Sequence, residues 1–178
     1  PDLVARAFEA MQKSTSLPVT IKHRIGVDHI DSYEDMLHFV DTVAAAGCTR
    51  FTVHARKAWL QGLSPAENRT IPPLRHPEVH RLKQERPHLI IETNGGIKTL
   101  DEVAEHLEHV DAAMIGRAAY DNPYLFADVD RRFYNYHRPV PSRHDVIRAL
   151  FDYVEYWTPE GGAKLSPLTR HFLQIFAR

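Results

Sequence analysis

The sequence holds a single cysteine, Cys48, so it cannot close an internal disulfide, and that scarcity suits a reducing compartment. It has no apolar run of about 18 residues, so no membrane-spanning helix is expected. Excess charge of either sign is also missing. The formal net charge is −1, and no overall basic field draws the chain to nucleic acid, so an RNA site would have to be a local patch. Twelve histidines are present, but none stands in an HExxH or comparable ligand spacing, and no metal site is expected. A Walker loop and a Ser-His-Asp arrangement are absent too. The chain begins at Pro1 with no signal peptide, and Leu168 to Arg178 reads as a helix cut off within its pattern, so we expect a piece of a longer protein.

What is present is a regular alternation. Residues 2–14 place Leu3, Val4, Ala7, Phe8 and Met11 at helical spacing. Strands are expected at Leu17 to Lys22, Thr49 to His54, Leu89 to Thr93 and Ala112 to Ile115. Helices are expected at Ser32 to Ala46, Pro77 to Arg86, Thr99 to Glu108 and Asn122 to Phe133. Ser32, with Asp35 three residues on, forms a capping-box variant, Thr99 is a second N-cap, and Gly47 closes the first of these helices. Residues 56–75 read as a long loop with three prolines. Strands alternating with helices predict right-handed parallel crossovers and a parallel sheet, apolar on both strand faces. The Pro-bearing linker at 134–142 ends the alternation, and two helices at 143–157 and 166–178, split by Thr158 to Gly162, suggest an all-helical second domain.

The chemistry collects at the C-terminal strand ends, where a parallel barrel keeps its active site. These ends read Lys22-His23-Arg24, His54-Ala-Arg56-Lys57, Asn94-Gly95-Gly96 and Gly116-Arg117. The glycines let backbone N–H groups approach an anion, and Arg117 can add a charged contact to a phosphate. A plain tight turn explains Gly95 and Gly96 as well. Lys22 closes an apolar strand; its partner is either the N1/C2-carbonyl edge of a flavin or solvent at the barrel rim. His54 is either a cofactor contact or proton carrier, or a histidine satisfied within the core, which is the commoner case. His23, Arg24, Arg56, Lys57, Arg69 and Arg75 form a local basic cluster with Trp59 nearby, as an RNA-facing rim or a solvated loop would. Cys48 precedes its strand, opposite the catalytic end, and reads as a small buried hydrophobe.

Several strings resemble the A subfamily of tRNA-dihydrouridine synthases, in order and along essentially the whole chain. They are Val19-Thr-Ile-Lys-His-Arg-Ile-Gly26, Val53-His-Ala-Arg-Lys-Ala58, Glu67-Asn-Arg-Thr-Ile-Pro-Pro-Leu74, Asn94-Gly-Gly-Ile97, Met114-Ile-Gly-Arg117 and Leu168-Thr-Arg-His-Phe-Leu173. The resemblance implies an α/β fold: the C-terminal half of a TIM barrel, strands five to eight, over residues 1–137, followed by a truncated helical tRNA-binding domain over 138–178. It implies FMN as cofactor, NADPH as reductant, and reduction of D-loop uridines 20 and 20a of tRNA to dihydrouridine in the cytoplasm, by a monomer that binds no metal. Lys22, His54, Asn94, Gly95, Gly96, Gly116 and Arg117 match cofactor-binding positions, and Arg56, Lys57 and Arg69 lie in the loop that faces tRNA. One departure matters. The family's cysteine acid lies in an Asn-x-Gly-Cys-Pro loop, which does not occur here, and Cys48 does not match it. The isolated chain is therefore expected to be inactive, and marginal alone because a half-barrel bares two sheet edges. The competing expectations are another phosphate- or flavin-binding barrel that acts on a small molecule, and a non-catalytic RNA-binding remnant.

Overall fold

A computed structural model describes residues 1–158, 162–170 and 172–176. It divides into two compact units: residues 1–97 with 101–115, and residues 98–100 with 116–178.

The first unit starts with helix α1 (Asp2–Ser14), followed by strand β1 (Ile21–Arg24) and helix α2 (Tyr33–Ala45). Strand β2 (Arg50–His54), helix α3 (His76–Glu85), strand β3 (Ile90–Asn94), helix α4 (Leu100–Leu107) and strand β4 (Ala112–Met114) follow. The four strands form one sheet in the order β1-β2-β3-β4, and every pair is parallel. Parallel neighbours in sequence order, each reached through a crossover, are the arrangement of an α/β barrel segment.

Local signals account for much of this. Ser32 caps α2 by accepting from the Asp35 N–H, while the Asp35 carboxylate accepts from the Ser32 N–H. Gly47, at φ 103°, turns the chain out of α2 at little steric cost. The core lies between the sheet and its helices. Phe8, Val40, Val43, Phe51, Val53, Val79, Leu82 and Ile91 are buried there, with Cys48 at the entrance of β2.

Two expectations need correction. First, β1 starts four residues later than the apolar run suggests. Leu17 is 69% exposed, and Pro18 has no N–H to give a ladder. Second, the strands are not apolar on both faces. Ile21, His23, Phe51, Val53, Ile91 and Thr93 alternate with Lys22, Arg24, Thr52, His54, Glu92 and Asn94, and the second set is polar throughout. Burial and ring contacts such as His23 on Phe39 of α2 (4.8 Å) put the first set against the helices. Residues 56–75 form a loop as expected, with a 3-10 turn at Glu67–Arg69 inside it.

The second unit contains α5 (Arg117–Asp121), a 3-10 segment Pro123–Asp128, α6 (Val129–Phe133), α7 (Arg143–Trp157), α8 (Leu165–Thr169) and a 3-10 turn Leu173–Phe176. The single helix expected over Asn122 to Phe133 is thus broken in two, and its first part is 3-10. Helix α7 matches its expected span and is capped by Ser142 and Asp145 in the same reciprocal way as α2. The helix expected at 166–178 is divided into α8 and the 3-10 turn; His171, Ala177, Arg178 and the Pro159–Gly161 part of the preceding break lie outside the described residues. The Arg143 guanidinium lies 4.1 Å over the Tyr124 ring and donates to the Ile175 carbonyl. No helix among the described residues is long and apolar enough to cross a membrane.

Candidate functional site

The parallel register stacks the polar face in levels. Lys22, Thr52 and Glu92 are partners at one level, and Arg24, His54 and Asn94 at the next, toward the C-terminal strand ends. Thr52 donates its hydroxyl to the Glu92 carboxylate. The Asn94 amide donates to the Met114 carbonyl at 2.8 Å, tying β3 to β4 beyond the ladder itself. A cleft of about 880 Å³ opens over this end, lined by Lys22, Arg24, His54, Trp59, Arg69 and Asn94 among others. That volume suits a cofactor-sized ligand.

The structure therefore brings Lys22, His54, Asn94 and Arg69 to one cleft. Lys22 is exposed to it rather than buried at a strand end. Partial desolvation, then the Arg24 charge, lower its pKa, while Glu92 opposes them. Desolvation, followed by the charges of Arg24, Lys22 and Arg56, pulls His54 down to about 4. His54 is thus a neutral hydrogen-bonding group near neutral pH.

Gly95 and Gly96 follow β3 with φ of 118° and 73°. A Cβ on Gly95 would lie 2.7 Å from His54 Cδ2 and 2.9 Å from Leu74 Cδ2, and one on Gly96 would lie 2.5 Å from Leu74 Cδ1. Both positions need glycine for conformation, and Gly95 needs it also for space against the His54 ring, so the turn presents bare backbone. Gly116 and Arg117 belong to the second unit, where Arg117 opens α5.

The loop after β2 is held by the residues that the sequence grouped as a basic cluster. Arg24 donates to the carbonyls of Lys57 (2.7 Å) and Asn68 (2.9 Å). Arg56 donates to Thr70 and Pro72 carbonyls. Lys57 pairs with Asp31 at 2.8 Å, donates to the Asp28 carbonyl, and sits 4.9 Å from the Trp59 ring centroid. The Asn68 side chain accepts from the Trp59 N–H and donates to the Trp59 carbonyl, as a neighbouring strand would. Arg56 and Lys57 thus shape the loop, and Arg69 faces the cleft.

Sequence reasoning missed His76, which reaches from the first turn of α3 to Thr93 and Gly95. It also missed Gly26, where a Cβ would lie 2.5 Å from the Ile30 carbonyl oxygen and from Asp31 Cα. Gly26 was legible only as part of a longer motif, and His76 carried no local signal. Cys48 is buried, donates to the Arg50 carbonyl at 3.3 Å, and has its thiol pKa raised by burial. Among the described residues, no three His, Cys, Asp or Glu side chains are grouped so as to hold a metal ion.

The dihydrouridine synthase (Dus) family model matches residues 1–178. The chain belongs to that family. It is 60% identical over 176 residues to a tRNA-dihydrouridine(20/20a) synthase of Synechocystis sp., covering 99% of this chain and 52% of that protein. It is 50% identical to the protein of the same name from Vibrio cholerae, covering 99% of this chain and 54% of that one. The chain thus spans about half the length of the curated relatives it matches. A solved phosphoenolpyruvate phosphomutase from Streptomyces platensis subsp. rosaceus is similar at 18% identity and a TM-score of 0.46, over 78% of this chain and 50% of that one.

Proposed function

We propose that this chain is part of a flavin-dependent tRNA-dihydrouridine synthase, which reduces uridines 20 and 20a in the tRNA D-loop to 5,6-dihydrouridine with NADPH. The observation that carries this reading is the 60% identity, over 99% of the chain, to a relative named for that activity. The cleft supports it, because its polar floor suits FMN and the Gly95-Gly96 turn follows directly on its lining residue Asn94. Lys22 and His54 would meet the ring system, and Asn94, Gly95, Gly96, Gly116 and Arg117 would hold the phosphate. When bound, FMN supplies the hydride for the uridine ring.

The chain's own residues bind and orient. A lysine ammonium at a flavin's N1/C2-carbonyl edge favours negative charge there, and Lys22 lies on the cleft floor to serve that role. Neutral His54 offers a hydrogen bond without adding charge. Arg69, Arg56 and Lys57 would face the tRNA, Arg69 from the cleft wall and the other two through the loop they hold. In this reading residues 1–137 complete a (β/α)8 barrel with the rest of the protein, and 138–178 begin a helical tRNA-binding domain. The whole protein works as a cytoplasmic monomer without a metal. The chain alone is inactive, because the Asn-x-Gly-Cys-Pro loop with its proton-donating cysteine is not in its sequence.

The test is mass spectrometry of tRNA from a strain lacking the gene. Loss of dihydrouridine at 20 and 20a, restored by the gene, is the expected result; unchanged dihydrouridine at both positions overturns the reading.

A further inference from the structure

We propose that His76 is a positioning residue that sets the Asn94-Gly95-Gly96 turn to receive a phosphate group. The proposal rests on the flavin-phosphate reading of that turn and adds the residue that aims it.

His76 is the first residue of α3, on the helix side of the sheet. Its Nε2 lies 2.9 Å from the Gly95 carbonyl oxygen, and its Nδ1 lies 2.9 Å from Thr93 Oγ1. A carbonyl only accepts, so Nε2 carries the proton and donates. Nδ1 of the neutral ring is then an acceptor, and the fully buried Thr93 hydroxyl donates to it. One side chain thereby satisfies two polar groups on either side of Asn94.

The consequence follows from peptide geometry. The Gly95–Gly96 peptide is trans, since the described chain has no cis bond. Across a trans peptide the C=O and the next N–H point in opposite directions. Holding the Gly95 oxygen toward α3 therefore turns the Gly96 N–H away from α3. Gly96 is exposed while Gly95 is buried, so this donor sits where an anion can reach it. Without that hold, a glycine pair could rotate its peptide plane freely. On the far side of the turn, the Asn94 amide on the Met114 carbonyl supplies a second fixed point.

The base of the clamp is itself anchored. The Arg75 N–H donates to the Ala55 carbonyl at 2.8 Å, and the Arg75 side chain holds both Glu78 and Asp31. Behind His76 stands a group of imidazoles. His106 packs 4.3 Å from it, and His80 contacts both His106 and His109. Burial first, then the His106 neighbour, lower the His76 pKa and so favour the neutral ring, while the hydrogen bond to Gly95 opposes them.

The experiment compares FMN with riboflavin, the same ring system without the phosphate, in the whole protein stripped of flavin. Dissociation constants are read by flavin fluorescence for the parent, His76→Asn and His76→Gln. An asparagine places a polar group near Nδ1 and cannot reach Gly95, whereas a glutamine can extend its amide to the Gly95 carbonyl. The expected result is that His76→Asn weakens FMN about tenfold and leaves riboflavin within about twofold, while His76→Gln recovers most of the loss. Equal weakening of both flavins in His76→Asn marks a general structural role and overturns the proposal, as does unchanged FMN binding. A parent that binds FMN no better than riboflavin overturns the phosphate site and this proposal together, while leaving the reductase reading in place. A parent that binds neither flavin overturns the functional reading as well.

Discussion

The His54 imidazole occupies the space that a side chain at residue 95 would need, with Cδ2 only 2.7 Å from the position of a Cβ on Gly95. His54 closes β2 and Gly95 follows the adjacent β3, and each limits the other. His54 has its ring placed because residue 95 has none to offer, and Gly95 keeps a backbone conformation that side chains rarely adopt.

Replacement of Gly95 by alanine therefore combines a strained φ with a close contact to His54 and Leu74. We expect a loss of about 1–3 kcal/mol of stability together with weaker flavin binding. Denaturant unfolding and flavin titration of the whole protein check this, and a variant as stable as the parent contradicts it.

Arg24→Ala should release the loop after β2 rather than abolish cofactor binding outright. The side chain makes charged hydrogen bonds to two loop carbonyls, at Lys57 and Asn68, and a half-buried contact of this kind is worth about 1.5–3 kcal/mol. Limited proteolysis should show faster cleavage within residues 56–75. Protection equal to that of the parent would show that the loop is held elsewhere.

Arg117→Ala should weaken FMN binding in the whole protein by about 1.5–3 kcal/mol, the range for a charged hydrogen bond to a phosphate. Undiminished flavin retention counts against its assignment. Riboflavin should bind this variant as it binds the parent.

Acid should destabilise the fold in a defined window. His23, His54 and His80 are each held near 4, below the ordinary 6.5, with desolvation as the leading cause. Their neighbours add to this: Lys22 beside His23; Arg24, Lys22, Arg56 and His76 around His54; His109, His106 and His76 around His80. In that interval the unfolded chain binds more protons than the folded one, so stability falls as pH drops from about 6.5 toward 4. Above 6.5 these histidines are neutral in both states and contribute no slope. Unfolding midpoints measured stepwise across this range should decline, and a flat profile would exclude the three histidines as the cause.

The elements that sequence revealed best are those written in neighbouring residues. Ser32 and Asp35 encode their own capping box, and the span of α7 follows from Ser142 and the helical pattern after it. The glycine turn was visible in Asn94-Gly95-Gly96, and the cleft residue His54 in its place at a strand end; Lys22 was singled out too, although it is the second residue of β1 and not its last. What escaped was set by distant partners. A periodicity of two already stands in Ile21-Lys22-His23-Arg24 and in Ile91-Glu92-Thr93-Asn94, but the rule that parallel strands are apolar on both sides concealed it. That rule fails here because the face turned away from the helices lines the cleft, with Lys22, Arg24, His54 and Asn94 on it. His76 meets Gly95 only through the packing of α3 on β3, and no spacing along the chain announces such a meeting. The basic cluster was found, yet Arg24 and Lys57 proved to be loop anchors because their acceptors are backbone carbonyls and an aspartate from other segments.

The levelled polar face also bears on how the strands find their alignment. Slipping one strand by a single residue would bury its charges, and the hydrophobic core forbids that. Slipping by two residues keeps every apolar side chain inward and shifts the strand by about 6.6 Å, so burial alone discriminates poorly against it. The row of Arg24, His54 and Asn94 does discriminate. Only the native alignment lets Arg24 reach the carbonyls of residues 57 and 68 while the Asn94 amide reaches residue 114. The polar face thus serves as a vernier for the sheet, reading an offset to which the oily side is blind.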